Sequence, residues 1–137
     1  MTQFFKFLLI VFASVFIDAH TFEDCGSTTF YTSTLTISPD PAIAGKDVSV
    51  IIVGNLEGNR FPATIDTTIQ YGSYPYMMTD KFCDLDVYGC TKVNEVTLKK
   101  TMELPRITAS GTYEAKIVMY NSDESIAGCV QASVKVK

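Results

Sequence analysis

The chain has 137 residues, with 11 basic and 15 acidic side chains, a net charge of −4, four cysteines, one histidine and no tryptophan. The acidic balance excludes nucleic-acid binding, which needs a basic stripe. One histidine leaves little material for acid–base or nucleophilic catalysis.

Residues 1–19 read as a secretory signal peptide. Lys6 supplies a short positive region, Phe7–Ile17 is apolar but for Ser14, and Ala19 is a small residue ahead of a cleavage point. The apolar run is too short to span a bilayer and polar chain follows at once; a retained membrane anchor is the alternative. Residues 20–137 then form one domain, large enough to bury about two thirds of its surface. Its destination is outside the cell or the endolysosomal lumen. His20 is expected to lie outside the fold, beside the cleavage point.

Thr28–Pro39 alternates weakly through Leu35 and Ile37 and reads as an edge strand, closed by Pro39 and Pro41. Ala44–Asp47 is a turn. Val48–Val53 is a continuous β-branched run, suited to a buried or central strand. Gly54–Asn59 is expected to be a loop. Ala63, Ile65, Thr67, Ile69 and Tyr71 alternate with polar residues, as in a half-buried strand.

Gly72–Asp80 carries a glycine and Pro75 together with Tyr74, Tyr76, Met77 and Met78, and reads as an apolar loop. Cys83–Cys90 is a small acidic loop. In Glu95–Leu104, Val96, Leu98, Met102 and Leu104 share one face, and Lys100 is the one misfit on it. Tyr113, Ala115, Ile117 and Met119 share a face of Gly111–Tyr120, whose alternation only Val118 and Tyr120 break. After the polar turn Asn121–Glu124, Val130, Ala132, Val134 and Val136 share a face of the last strand. About seven short strands with turns between them, and no helical period, indicate an all-β, immunoglobulin-like two-sheet sandwich.

Little in this pattern suits chemistry. Asp84 with Asp86, and Asp123 with Glu124, could form carboxylate sites, but acidic residues are also what turns use. No catalytic residue, metal or cofactor is expected, and no N-x-S/T sequon is present. Four cysteines in a secreted chain imply two disulfides, with three pairings open. The C-x6-C spacing without partner histidines argues against zinc.

Phe22-Glu23-Asp24-Cys25-Gly26-Ser27, then Ile37-Ser38-Pro39, Cys83 and Cys90, Leu104-Pro105, Gly111-Thr112-Tyr113 and Cys129 form an ordered set. In this order the chain resembles the ML lipid-recognition domain family. Within it the likeness is to the Niemann-Pick type C sterol-carrier and phosphatidylglycerol/phosphatidylinositol-transfer branches, over all of residues 20–137. The resemblance implies a sandwich splayed at one end, a lipid tail between its sheets, and the pairings Cys25–Cys129 and Cys83–Cys90. It also matches Tyr76 to an aromatic that lines the carrier's pocket. Two features depart from the sterol-carrier pattern. No cysteine follows the first strand at Pro39-Asp40-Pro41, and Thr91 stands where a proline is usual.

The expectation is therefore a monomeric, non-enzymatic carrier of one lipid, phospholipid or sterol, which touches membranes transiently. Its lipid would lie against Ile52, Ile65, Ile69, Tyr76, Met78, Leu98, Met102, Tyr113, Ile117, Met119 and Val134. Small inner residues such as Ala63, Ala115 and Ala132 would leave the core underfilled; a filled core, in an adhesion or recognition module, is the alternative. Tyr74–Met78 would sit at the mouth, or else cap the core. Lys100, with Arg106 and Lys99 nearby, would meet an anionic headgroup, unless a β-bulge turns Lys100 outward. Approach to anionic bilayers should improve towards pH 4–5, as carboxylates neutralise.

Overall fold

The computed structural model describes residues 19–137, Tyr74 by its backbone only. The signal-peptide reading thus falls, but for Ala19, outside the described residues. The elements are β1 (Glu23–Asp24), β2 (Phe30–Ser38), β3 (Asp47–Leu56), β4 (Thr64–Tyr71), β5 (Tyr74–Lys81), α1 (Phe82–Leu85), β6 (Glu95–Glu103), β7 (Gly111–Tyr120) and β8 (Ile126–Val136). They form two antiparallel sheets, one in the order β1-β8-β7-β4-β5 and the other β2-β3-β6. This is the immunoglobulin-like sandwich that the alternation indicated, with β2 on an edge and β3 at a sheet centre.

The two ends of the sandwich are filled differently. At one end large side chains from both sheets meet. Phe30 and Phe82 are wholly buried and lie edge to face at 5.9 Å, with Phe61 beside Phe82 at 6.3 Å. Leu56, Val96 and Met119 complete this plug. Towards the other end the inner face carries Ala42, Ala115, Ala132, Val134 and Val136. Sheets stacked about 10 Å apart need long side chains to fill the gap. Alanines and valines are too short to do it.

Four local features differ from the expectations. Gly54–Leu56 continues β3 instead of looping out, and Leu56 is buried. Gly54 permits this, because a Cβ there would meet the Phe30 ring at 2.5 Å. Tyr74–Lys81 is a strand, joined to β4 by the two-residue turn Gly72-Ser73, with Tyr71 opposite Tyr74. It is an edge strand, where the missing N–H of Pro75 is tolerated. The Cys83–Cys90 segment opens with the helical turn α1, which buries Phe82 into the plug.

His20 is the fourth: it belongs to the fold. Its backbone N–H donates to Leu35 O at 2.7 Å, and its ring nitrogens lie 3.1 Å from Asp40 Oδ2 and 2.6 Å from Ser133 O. One of the two misfits on β7 is also accounted for. Val118 lies opposite Cys129, so the Cys25–Cys129 disulfide gives this outward valine an apolar neighbour.

The disulfides are Cys25–Cys129 and Cys83–Cys90, with Cα–Cα distances of 4.9 and 5.2 Å, and no cysteine is free. The first closes a span of 104 residues, for which chain entropy gives about 4–5 kcal/mol. One member of each acidic pair builds a turn. Asp86 is buried and accepts from the N–H groups of Tyr88 and Cys90 at 3.0 and 3.2 Å. Asp123 accepts from the Ser125 hydroxyl and N–H.

The Ser125 hydroxyl, its N–H and the more distant Arg60 hold the Asp123 carboxyl below the ordinary carboxylate range. Ser27 and the N–H of Gly26 do the same for Asp24. A lowered folded value stabilises above the unfolded value near 3.8 and is lost as pH falls through the folded one. Neither group therefore loses its contribution between neutral pH and about pH 5.

Two outcomes are expected. Gly54→Ala should lower unfolding stability by about 1–3 kcal/mol in urea titrations, through collision with Phe30. Asp24→Asn should melt below the parent at neutral pH, and the difference should shrink as pH falls below 3.8 towards the lowered folded value of Asp24.

Candidate functional site

Where the plug ends, the sheets enclose a cavity of about 470 Å³. This lies within the range of about 300–1,000 Å³ typical of small-molecule sites. Leu35, Ile37, Val48, Val50 and Met102 form the wall on the three-stranded sheet. Ile69, Ala115, Ile117, Ala132 and Val134 form the opposite wall. The strand period explains the lining, since every second residue of each strand turns inward. Tyr71, Tyr76, Met78, Leu104, Pro105 and Tyr113 reach the cavity at its open end.

The mouth has one built feature that sequence reading missed. Tyr71 and Tyr113 stack at 4.5 Å between ring centroids, and the Tyr113 hydroxyl donates to Ala109 O at 2.7 Å. Gly111 makes room for this stack. Its φ of +146° favours glycine, and a Cβ there would meet the Tyr71 ring at 2.9 Å. Polar groups on the lining are few: Thr67, Thr108, Glu103 and the tyrosine hydroxyls. Such a surface can shelter hydrocarbon and offers almost nothing to orient a polar ligand inside.

Of the residues expected to form the site, Ile69, Tyr76, Met78, Met102, Tyr113, Ile117 and Val134 line this cavity. Ile52, Ile65 and Leu98 instead surround a smaller hollow of about 40 Å³, which Leu85, Lys99 and Lys100 also line. Met119 is wholly buried in the plug, against Gly128, and lines neither space. Met77, on the outward parity of β5, is largely exposed. Leu35, Ile37, Val48, Tyr71, Leu104, Val130 and Val136 line the cavity without having been singled out for it. Leu35 and Ile37 already showed the alternation that would have found them.

The β3–β6 register runs without a shift through Val50 and Lys100, so no bulge turns Lys100 outward. It keeps its inward parity, and its Nζ lies 2.8 Å from Asp80 Oδ1 on β5. Arg106 is exposed beside Pro105, on the loop that reaches the cavity mouth, and none of the ion pairs among the described residues includes it.

The His20–Asp40 pair is not a catalytic dyad. The other ring nitrogen is held by the backbone carbonyl of Ser133, while the Ser133 hydroxyl donates to Glu114. Among the described residues no nucleophile therefore faces the imidazole. Among the described residues no cluster of three or more His, Cys, Asp or Glu side chains could hold a metal ion.

A family model described as the ML domain matches residues 19–136. Among solved structures, the chain is similar to a Niemann-Pick type C2 protein from Japanese carpenter ant. The TM-score is 0.65 and the identity 21%, over 85% of this chain and 99% of that one. A likeness to the alkylpurine DNA glycosylase AlkC of Pseudomonas fluorescens has a TM-score of 0.49 and 9% identity, over 82% of this chain and 31% of that one. Among curated proteins none matches.

If the cavity accepts apolar guests, an apolar dye such as N-phenyl-1-naphthylamine should brighten on binding. Ala132→Phe, which puts a ring into the space, should weaken that binding roughly tenfold or more while the protein still melts cooperatively.

Proposed function

The chain belongs to the ML domain family, and we propose that it is a non-enzymatic lipid carrier that shelters one apolar tail or sterol body between its sheets and moves it between membranes. The observation that carries this reading is the apolar cavity of about 470 Å³. A recognition module with a filled core would have no such space.

The volume bears on the ligand. An apolar pocket of about 150 Å³ takes a six-carbon ring, so 470 Å³ takes roughly eighteen carbons. That suits one long acyl chain or most of a sterol. A phospholipid with two long chains would leave one of them at the mouth. Sterols and single-chain lipids thus fit the interior more completely than the phosphatidylglycerol and phosphatidylinositol class, which needs the mouth as well.

Transfer by this route is reversible for a physical reason. A lipid crossing water alone exposes its tail at about 0.8 kcal/mol per methylene. Bilayer and cavity are both apolar, so moving from one to the other is nearly neutral. The carrier abolishes the penalty of the crossing without binding so tightly that release fails.

Membrane contact would be made at the open end. Ile107 is 93% exposed on the loop that carries Leu104, Pro105 and Thr108 into the cavity lining. Tyr76 is 64% exposed at the same mouth, and tyrosine suits a membrane–water interface. Arg106, next to Ile107, offers the cation for an anionic headgroup, because Lys100 is already paired with Asp80. The acidic net charge opposes approach to anionic bilayers at neutral pH. Transfer should rise towards pH 5. Secretion or residence in the endolysosomal lumen fits the two disulfides.

Mass spectrometry of lipid extracted from the purified protein tests the central reading: a one-to-one sterol, single-chain lipid or phospholipid is expected, and none at all would overturn it. In vesicle-to-vesicle assays, Ile107→Asp should slow transfer several-fold while leaving binding from solution unchanged. Arg106→Gln should slow phosphatidylglycerol transfer more than that of a zwitterionic lipid.

A further inference from the structure

The two long seams of the sandwich are closed in different ways. Along β2 and β8 the main chain ties the sheets together. Thr28 and Thr29 donate to Ala127 O at 2.9 and 3.0 Å, Ala42 donates to Lys135 O at 2.9 Å, and Lys137 donates to Ala42 O at 2.7 Å. His20 adds its bonds to Leu35, Asp40 and Ser133 on the same side.

Along β5 and β6 the main-chain ties stop early. Just beyond α1, Asp86 bridges to Leu98 and the Val87 N–H donates to Thr97 O at 3.0 Å. Further along lies Lys100–Asp80, and past it Met102 and Met78 face the cavity with no polar bond between the strands among the described residues. The order along this seam is main-chain tie, ion pair, open mouth.

From this arrangement we infer that the sandwich opens along its β5–β6 seam to admit and release a lipid, and that the Lys100–Asp80 ion pair is the latch on that seam. The inference rests on the carrier reading above. Lys100 and Asp80 both occupy inward parities, Lys100 in line with Leu98 and Met102, Asp80 in line with Tyr76 and Met78. An apolar pair there would close the seam more firmly, because a half-buried ion pair gives up much of its attraction to desolvation. What the charges add is reversibility. When the strands part, an apolar pair would expose hydrocarbon, whereas a lysine and an aspartate are both hydrated.

The cavities support the same direction of opening. Val50, Thr67, Met102 and Ile117 line both the large cavity and the small one, and Lys100 lines the small one. These four side chains are the partition, and parting β5 from β6 would join the two spaces. The tail of an incoming lipid then needs to thread only past the edge strands. The disulfide Cys25–Cys129 and the bonded seam stay intact on the far side.

The test is stopped-flow uptake and release of a fluorescent polyene fatty acid by the parent, Asp80→Asn, Lys100→Gln and the exchanged Asp80→Lys/Lys100→Asp protein. Both single variants should load and unload faster by roughly two- to fivefold. Their affinity should change little, and the exchanged pair should return to the parent rates. Added salt should speed the parent towards the single variants and leave those variants unmoved. Rates that are equal in all proteins and insensitive to salt overturn the latch. If none of the proteins binds the probe, the carrier reading has failed. The latch is then decided on ligand-free protein by amide hydrogen exchange. Faster exchange in β5 and β6 of Asp80→Asn, with β2 and β8 unchanged, supports it, and identical exchange overturns it.

Discussion

The spacing of the two sheets is set at one end by the wedge of Phe30, Phe82 and Met119 with Phe61 against it. Everything of interest in the molecule follows from that asymmetry. The wedge holds the layers apart at a distance that suits aromatic rings, and the layers then continue past it with alanines and valines on their inner faces. In a sandwich of uniform composition the sheets would settle onto one another. Here the main-chain bonds of the β2–β8 seam fix one side, the aromatic wedge fixes one end, and a gap is left that neither sheet can collapse into.

The small elements serve the same geometry. The four-residue turn α1 matters because it carries Phe82 into the wedge, and Cys83–Cys90 with the buried Asp86 keeps that turn in shape. The long-range disulfide holds the N-terminal segment to β8, on the bonded side. Among the described residues no disulfide fastens the hollow end, and its rim is built from tyrosines, methionines and a proline. Rigid and yielding parts are thus segregated, as expected where a guest must pass and the scaffold must survive the passage.

Much of this was legible in the residues. Period-2 alternation placed the strands that became β4, β6, β7 and β8, and named their inner faces. Alternation reports a face, however, and not a depth along the strand. Ile117 and Met119 share a face of β7, yet one lines the cavity and the other sits in the wedge. The same limit explains why Ile52, Ile65 and Leu98 fell outside the large cavity. Tyr74–Lys81 read as a loop because Pro75 and Gly72 disfavour a central strand, and only the topology reveals that this strand is an edge. Gly54 looked like a loop opener because its purpose, a seat for the Phe30 ring, depends on a partner strand far away in sequence. The misfit at Lys100 was visible from parity alone. Its partner Asp80 was not, since it lies on the strand that alternation failed to find.

The stacked rings of Tyr71 and Tyr113 have an optical consequence. With no tryptophan in the chain, its near-ultraviolet emission comes from seven tyrosines, and among the described side chains Tyr71, Tyr76 and Tyr113 border the hollow. A guest that displaces water from these rings or separates the stack alters the light they emit. Occupancy is therefore written into the native spectrum, and filling can be followed without attaching a label to either partner.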